Sequence, residues 1–295
     1  MTRTHRSIAL VLLGIILIGL MAEAGARFAL GRMSRIQRRI DQEYRSSLAL
    51  PPNTPAGKPT MLLLGNSLLL EGVDFDSLRS ALAPRYDVHR LVIEQTNYVD
   101  LYYILQTVFR QGSRPHDVVL CLSVGQVIAD DMRGEFTARY LDSAVVPSLA
   151  RREHFDATTT TNYFFAHWSA WFGTRVELRK WLLGQIMPDV VNMTVVLGAR
   201  PASNIPVSEV LLRSGPRLKE LKALCDRYGS RCTILIPPTL TEDHAEDLAA
   251  LGREIGIRVL VPVGAGRMDK SEFRDGFHLA PAGAAIFTAK LDSEL

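Results

Sequence analysis

The sequence predicts an α/β protein: a three-layer α/β/α domain around a mostly parallel sheet, with a helical insertion and one N-terminal membrane helix. Three observations lead there. From about residue 60 onward, short apolar runs alternate with segments of helical periodicity, the pattern of a parallel sheet with helices on both faces. The run Val118-Val119-Leu120-Cys121-Leu122 is apolar throughout, as a strand covered on both faces tends to be. Finally, an unbroken apolar stretch, Ile8 to Ala22, follows Arg3, His5 and Arg6.

That stretch is short of the roughly twenty residues a span requires. Continuing to Leu30 gives the length but takes in Glu23 and Arg27. One reading is a signal peptide cut near Ala22-Glu23-Ala24, a weak small-x-small site. The other, adopted here, is an uncleaved signal anchor. Residues 1–30 are thus a membrane anchor or signal segment. Residues 31–59 are a basic helix, continuing from Phe28 to Leu48, and a linker, Pro51 to Pro59, whose prolines and glycine break both periodic patterns.

The α/β domain occupies residues 60–295. Strands are expected at Met61–Leu64, Tyr86–Ile93, Asp117–Ser123, Cys232–Ile236 and Arg258–Val261. Helices are expected at Phe75–Leu82, Val99–Gln111, Arg217–Tyr228, Asp243–Gly256 and Ala282–Leu291. The interval of about 133–216 is too long for a simple connection. It reads as helical over Ala138–Arg151 and Asn162–Ile186. The second of these carries Trp168, Trp171, Phe172 and Trp181, which suit inserted helices packing on the sheet, a lid, a glycan-stacking surface or a membrane-facing patch. Right-handed crossovers place every strand-to-helix loop on the carboxyl edge of the sheet, where Ser67, Gln126 and Pro237-Pro238 fall.

Composition excludes several classes. Hydrophobic residues make up 47% and charged residues 22%, and the net charge of +3 is too small to suggest a nucleic-acid partner. The sequence has no zinc-type Cys/His spacing, phosphate-binding Gly-Lys-Ser/Thr loop or dinucleotide fingerprint, so neither metal nor cofactor is expected. Cys121 belongs to the apolar run and reads as a core thiol. Cys225 and Cys232 flank a helix-to-strand connection, and either a short bridge or two unpaired thiols fits their spacing.

Chemistry is concentrated in two motifs. Leu62-Leu63-Leu64-Gly65-Asn66-Ser67-Leu68 reads as a buried strand ending in a Gly-x-Ser turn. Asp275-Gly276-Phe277-His278-Leu279, followed by Ala280-Pro281-Ala282-Gly283, puts a carboxylate three residues before an imidazole at a helix start. Ser67, His278 and Asp275 supply a nucleophile, a base and an orienting acid. Taken singly, His278 also reads as a helix-start histidine and Asp275 as a loop cap.

The pairing of these motifs resembles the SGNH, or GDSL-like, hydrolase family, over about residues 60–295. The resemblance implies an SGNH, flavodoxin-like sheet, a serine nucleophile and acyl-ester chemistry: an esterase, or an acyltransferase if a sugar hydroxyl replaces water. It also implies three oxyanion donors: the nucleophile's own N–H, a glycine N–H after the second strand and an asparagine side chain after the third. Here the corresponding loops read Glu94-Gln95-Thr96-Asn97 and Ser123-Val124-Gly125-Gln126, which leaves Gln126 and Asn97 as side-chain candidates. Asn66 stands where the family usually has aspartate. Similar anchored proteins modify extracellular polysaccharides, so the expected partners are an acyl ester or acylated glycan, the membrane and other polysaccharide-machinery proteins.

The arginines after the apolar stretch outnumber the basic residues before it, which by the positive-inside rule places the domain in the cytoplasm. The resemblance implies the opposite, an extracytoplasmic domain, periplasmic or at the cell surface, and that is the expectation kept. A cytosolic domain acting on a small ester follows from the arginine count alone. The competing class is a non-catalytic SGNH-like scaffold in a membrane-bound polysaccharide export or modification complex, which the missing glycine and the Asn66 and Gln126 replacements favour.

Overall fold

The computed structural model describes residues 3–32, 35–52, 57–186, 205–241 and 243–295. The chain forms two compact units, one of residues 1–39 with 134–201, the other of residues 40–133 with 202–295.

The larger unit is built on five parallel strands: β1 (Thr60–Gly65), β2 (Asp87–Val92), β3 (Asp117–Cys121), β4 (Arg231–Leu235) and β5 (Arg258–Leu260), in the order β2-β1-β3-β4-β5. This is the flavodoxin-like order, and the expected three-layer α/β/α class holds. β1 lies in the middle and is buried along its whole length, which explains its continuous apolar sequence. Of its helices, α3 (Ser67–Gly72), α4 (Phe75–Leu82) and α13 (Pro281–Glu294) pack together, as do α5 (Tyr98–Arg110), α6 (Val124–Ile128) and α11 (Val207–Arg227), with α12 (Ala245–Ile255) against α11 and β5.

The chain leaves β1 toward β2 on one side and later enters β3 on the other. β1 and β3 are therefore neighbours at the point where strand order reverses, the place where open α/β sheets form a crevice. Along the outer edge of β2, Glu43 of α2 (Arg35–Leu48) accepts hydrogen bonds from the Val92 N–H at 2.9 Å and from Arg90 at 2.7 Å. A helix thereby covers one exposed sheet edge.

One expected boundary moves. Gly215-Pro216 suggests a helix start at Arg217, but α11 runs through it from Val207, with Pro216 inside the helix. The Tyr98 hydroxyl donates to the Arg217 carbonyl at 2.6 Å, tying α11 to α5 one residue past the proline. The three cysteines are thiols, with Cys121 and Cys225 buried.

The smaller unit holds α1 (Arg3–Arg32), α7 (Glu135–Ala138), α8 (Val146–Arg152), α9 (Ala157–Trp168) and α10 (Ala170–Ile186). The two long helices expected in the insertion are thus broken into four. Asp156 caps α9 through the Thr159 N–H at 2.6 Å, and Ser169 breaks α9 from α10, accepting from the Phe172 N–H at 3.1 Å. Within α1, His5–Phe28 is long and apolar enough to cross a membrane, and none of its most apolar window is buried. The expected linker residues 53–56, the insertion residues 187–204 and the side chain of Trp181 lie outside the described residues.

Candidate active site

The site begins with the turn after β1. Asn66 is extended and caps α3: its Oδ1 accepts from the Leu68 N–H at 3.0 Å. Its Nδ2 donates to the Thr96 carbonyl at 2.8 Å, and the residue is fully buried. One amide thus ties the β1–α3 turn to the β2–α5 loop, with donor and acceptor both used. An aspartate here could not donate to that carbonyl while ionised. Ser67 follows as the first residue of α3. In that position its backbone N–H has no acceptor within the helix.

The histidine arrives on a closed loop. Phe273 and Leu279 form an antiparallel bridge, and the Arg274 N–H donates to the His278 carbonyl at 2.8 Å. Within this loop Asp275 folds the chain back on itself, its Oδ1 accepting from the Phe277 N–H at 3.0 Å and the His278 N–H at 2.7 Å. The reversal needs a left-handed residue between them, and Gly276 supplies it at φ 82°. The loop is seated by α13, which packs on α3. A Cβ on Gly283 would run into the Glu272 carbonyl oxygen, so only glycine lets the first turn of α13 approach this closely.

This framework joins the two motifs. The Asp275 Oδ2 lies 2.8 Å from His278 Nδ1, and His278 Nε2 lies 2.9 Å from the Ser67 Oγ. An ionised carboxylate only accepts, so Nδ1 carries the proton and Nε2 accepts from the serine hydroxyl. Burial pushes the Asp275 carboxyl up, but donation from the His278 N–H, the His278 ring and the Phe277 N–H outweighs it and holds the group at about 2. Ser67 and His278 are partly accessible. At the rim, Phe277 is exposed and stands edge-on to the imidazole, and Arg274 pairs with Glu71 at 2.6 Å.

The two side-chain oxyanion candidates are placed differently from the relay. The Gln126 Oε1 accepts from the Ser123 N–H at 3.0 Å while the Ser123 Oγ accepts from the Gln126 N–H, a capping box that starts α6. This box uses the oxygen of the Gln126 amide and not its NH2 group. The Asn97 NH2 donates to the Asp131 carbonyl at 3.2 Å, and Asn97 itself opens α5 in a capping box with Asp100.

One residue was missed by sequence reasoning. Gln95, in the loop where the resembled family carries glycine, takes φ 60°. It directly precedes Thr96, whose carbonyl Asn66 holds, so the left-handed turn is built without glycine beside the serine's own turn. No sequence signal marks it, because glutamine is not a residue that favours this region.

Among the described residues no group of three or more His, Cys, Asp or Glu is placed to hold a metal. No family model and no curated protein matches the chain. The chain is similar to the solved structure of TesA, at 11% identity and a TM-score of 0.40, over 79% of this chain and 95% of that one. It is also similar to a protein provisionally assigned as a platelet activating factor from Streptococcus pneumonia, at 10% identity and a TM-score of 0.37, over 97% of this chain and 98% of that one. Likenesses this distant carry no argument about chemistry.

Proposed function

We propose that the chain is an acyl-ester hydrolase or O-acyltransferase, working through Ser67, His278 and Asp275 on an extracytoplasmic polysaccharide or another acylated surface molecule. The observation that carries this reading is the continuous chain of hydrogen bonds from the Asp275 carboxylate through the imidazole to the Ser67 hydroxyl. The Ser67 Oγ attacks the ester carbonyl as His278 Nε2 takes its proton, and Asp275 stabilises the imidazolium that forms. Collapse of the tetrahedral intermediate expels the alcohol, which takes the proton back from His278 and leaves an acyl group on Ser67. Water then yields a hydrolase and a sugar hydroxyl a transferase.

Charge on the tetrahedral oxygen requires donors. The Ser67 N–H is one, since it stands in the first turn of α3, where helix amides lack an intrahelical acceptor. The Gln95 turn and the Gln126 NH2 group are the others in this reading. The relevant test is labelling of the full-length chain, in detergent, with a serine-reactive fluorophosphonate. Wild type should be labelled and Ser67→Ala should not. Equal labelling of both, or of neither, counts against the reading.

The scaffold reading is favoured by one observation: the Asn97 amide is already committed to the Asp131 carbonyl. It forecasts a wild-type protein inactive on a broad acyl panel, with Ser67→Ala fully supporting polysaccharide production in cells.

A further inference from the structure

The smaller unit contains a contact that the chemistry does not use. Glu23 lies just beyond the apolar run Ile8–Ala22 of α1. Its carboxylate accepts four hydrogen bonds: from Arg27 Nε at 2.6 Å, the Ser169 hydroxyl at 2.7 Å, the Ala170 N–H at 2.9 Å and the Trp171 N–H at 3.1 Å. Arg27 in turn reaches the Trp168 carbonyl at 3.4 Å. The turn between α9 and α10 is therefore fixed to α1 at the level of residues 23–27. Around that turn the large side chains face outward: Phe165 is 55% exposed, Trp168 70% and Trp171 47%, with Phe28 of α1 at 58%.

Exposed aromatic surface of this kind marks a place where a membrane or another molecule is met. Its position points to the membrane. The candidate span His5–Phe28 has 24 residues and rises about 36 Å at 1.5 Å per residue, with Glu23 about 27 Å along it. The hydrocarbon core of a bilayer is about 30 Å thick. With the His5 end at one boundary, Glu23 lies close to the other, at the level where Trp168 and Trp171 are fastened. Tryptophan is enriched at that boundary, where its apolar ring meets lipid and its N–H meets the headgroups. A carboxylate near lipid is costly unless it is satisfied, and Glu23 is met by a guanidinium, a hydroxyl and two backbone N–H groups.

We propose that Phe165, Trp168 and Trp171 form a membrane-docking surface that seats the α9–α10 turn in the headgroup layer of the bilayer crossed by α1, with Glu23 as the residue that positions it. The proposal rests on α1 spanning the bilayer and not on the serine chemistry. Its occupant is lipid; a soluble glycan or a protein partner would leave the same rings in water.

The three tryptophans of the chain are Trp168, Trp171 and Trp181, so intrinsic fluorescence reads the surface directly. The experiment uses the full-length Trp181→Phe variant, reconstituted in phosphatidylcholine vesicles whose acyl chains are brominated either near the headgroup or near the bilayer centre. Shallow bromine should remove on the order of half of the emission and clearly more than deep bromine does, by the interfacial placement expected of tryptophan. Glu23→Ala in the same background should lower the shallow quenching. Emission unaffected by bromine at either depth would place the rings in water and overturn the proposal, as would quenching strongest from the bilayer centre. Alkaline carbonate extraction of the same vesicles reports the anchor separately, so a failed span and a failed docking surface give different results. Neither readout depends on Ser67.

Discussion

At the scale of single residues, three side chains form the relay and two others shape the backbone around it. Ser67→Ala should abolish turnover of short acyl esters, because the acyl-enzyme cannot form. Asp275→Asn should leave a small residual rate, since it disturbs the imidazole's tautomer and charge while keeping the nucleophile. Kinetics on variants whose circular dichroism matches wild type separates these outcomes. Asp275 also bears on acid stability. Its folded value lies at about 2, below the ordinary 3.8, so its contribution is fully present above pH 4 and is lost as pH falls toward 2. Thermal melts of Asp275→Asn should therefore fall below wild type at pH 5 and converge with it near pH 2; a constant gap across that range would contradict the assignment. Asn66→Asp should destabilise the protein by about 2 kcal/mol at neutral pH, because a buried carboxylate oxygen would face the Thr96 carbonyl. Part of that loss should return in acid, where a protonated carboxyl donates again. Gln95→Gly should be neutral or stabilising by up to about 1 kcal/mol, as glycine relieves the left-handed turn, whereas Gln95→Val should be clearly destabilising in a denaturant melt.

At the scale of elements, the strands were the most legible feature. A parallel sheet covered on both faces demands unbroken apolar runs, and Met61–Leu64 and Val118–Cys121 have no other simple reading. The relay was legible for a similar reason: a Gly-x-Ser turn after a buried strand and an Asp-x-x-His before a helix are local patterns, and parallel topology carries strand ends to one edge. Helix limits were less so. Gly215-Pro216 is a breaker by local rules, yet α11 passes through it, held by packing on α6 and α12 that no window of sequence contains. The amides of Asn97 and Gln126 looked equivalent in sequence; only the fold shows that one spends its NH2 on Asp131 and the other its oxygen on a helix cap. The α9–α10 break belongs to the same class, since its capping partner Glu23 lies on a distant helix. Glu23→Ala should cost about 2 kcal/mol or more, the scale of hydrogen bonds to a charged group. Limited proteolysis in the Trp168–Trp171 turn should accelerate accordingly, and an unchanged cleavage rate would show that the contact does not hold the turn.

At the scale of the whole molecule, the chain joins an apolar N-terminal helix to an α/β unit whose site is made from its two ends. A reporter fused after Leu295 should be active outside the cytoplasm, with the apolar helix retained in the mature protein. Cytoplasmic activity would mean that the arginine count governs insertion after all, and recovery of a soluble product starting near Gly25 would mean cleavage. The same long-range closure sets an order of events. Ser67 and His278 are 211 residues apart. At about 5–20 residues per second, synthesis leaves roughly ten to forty seconds between them. In that interval the growing chain carries its serine with no base beside it, and strands β4 and β5 are added only late in it. The Asp275–His278–Ser67 hydrogen-bond chain can therefore close only after the His278 loop has left the ribosome, however early β1 and its serine turn have formed.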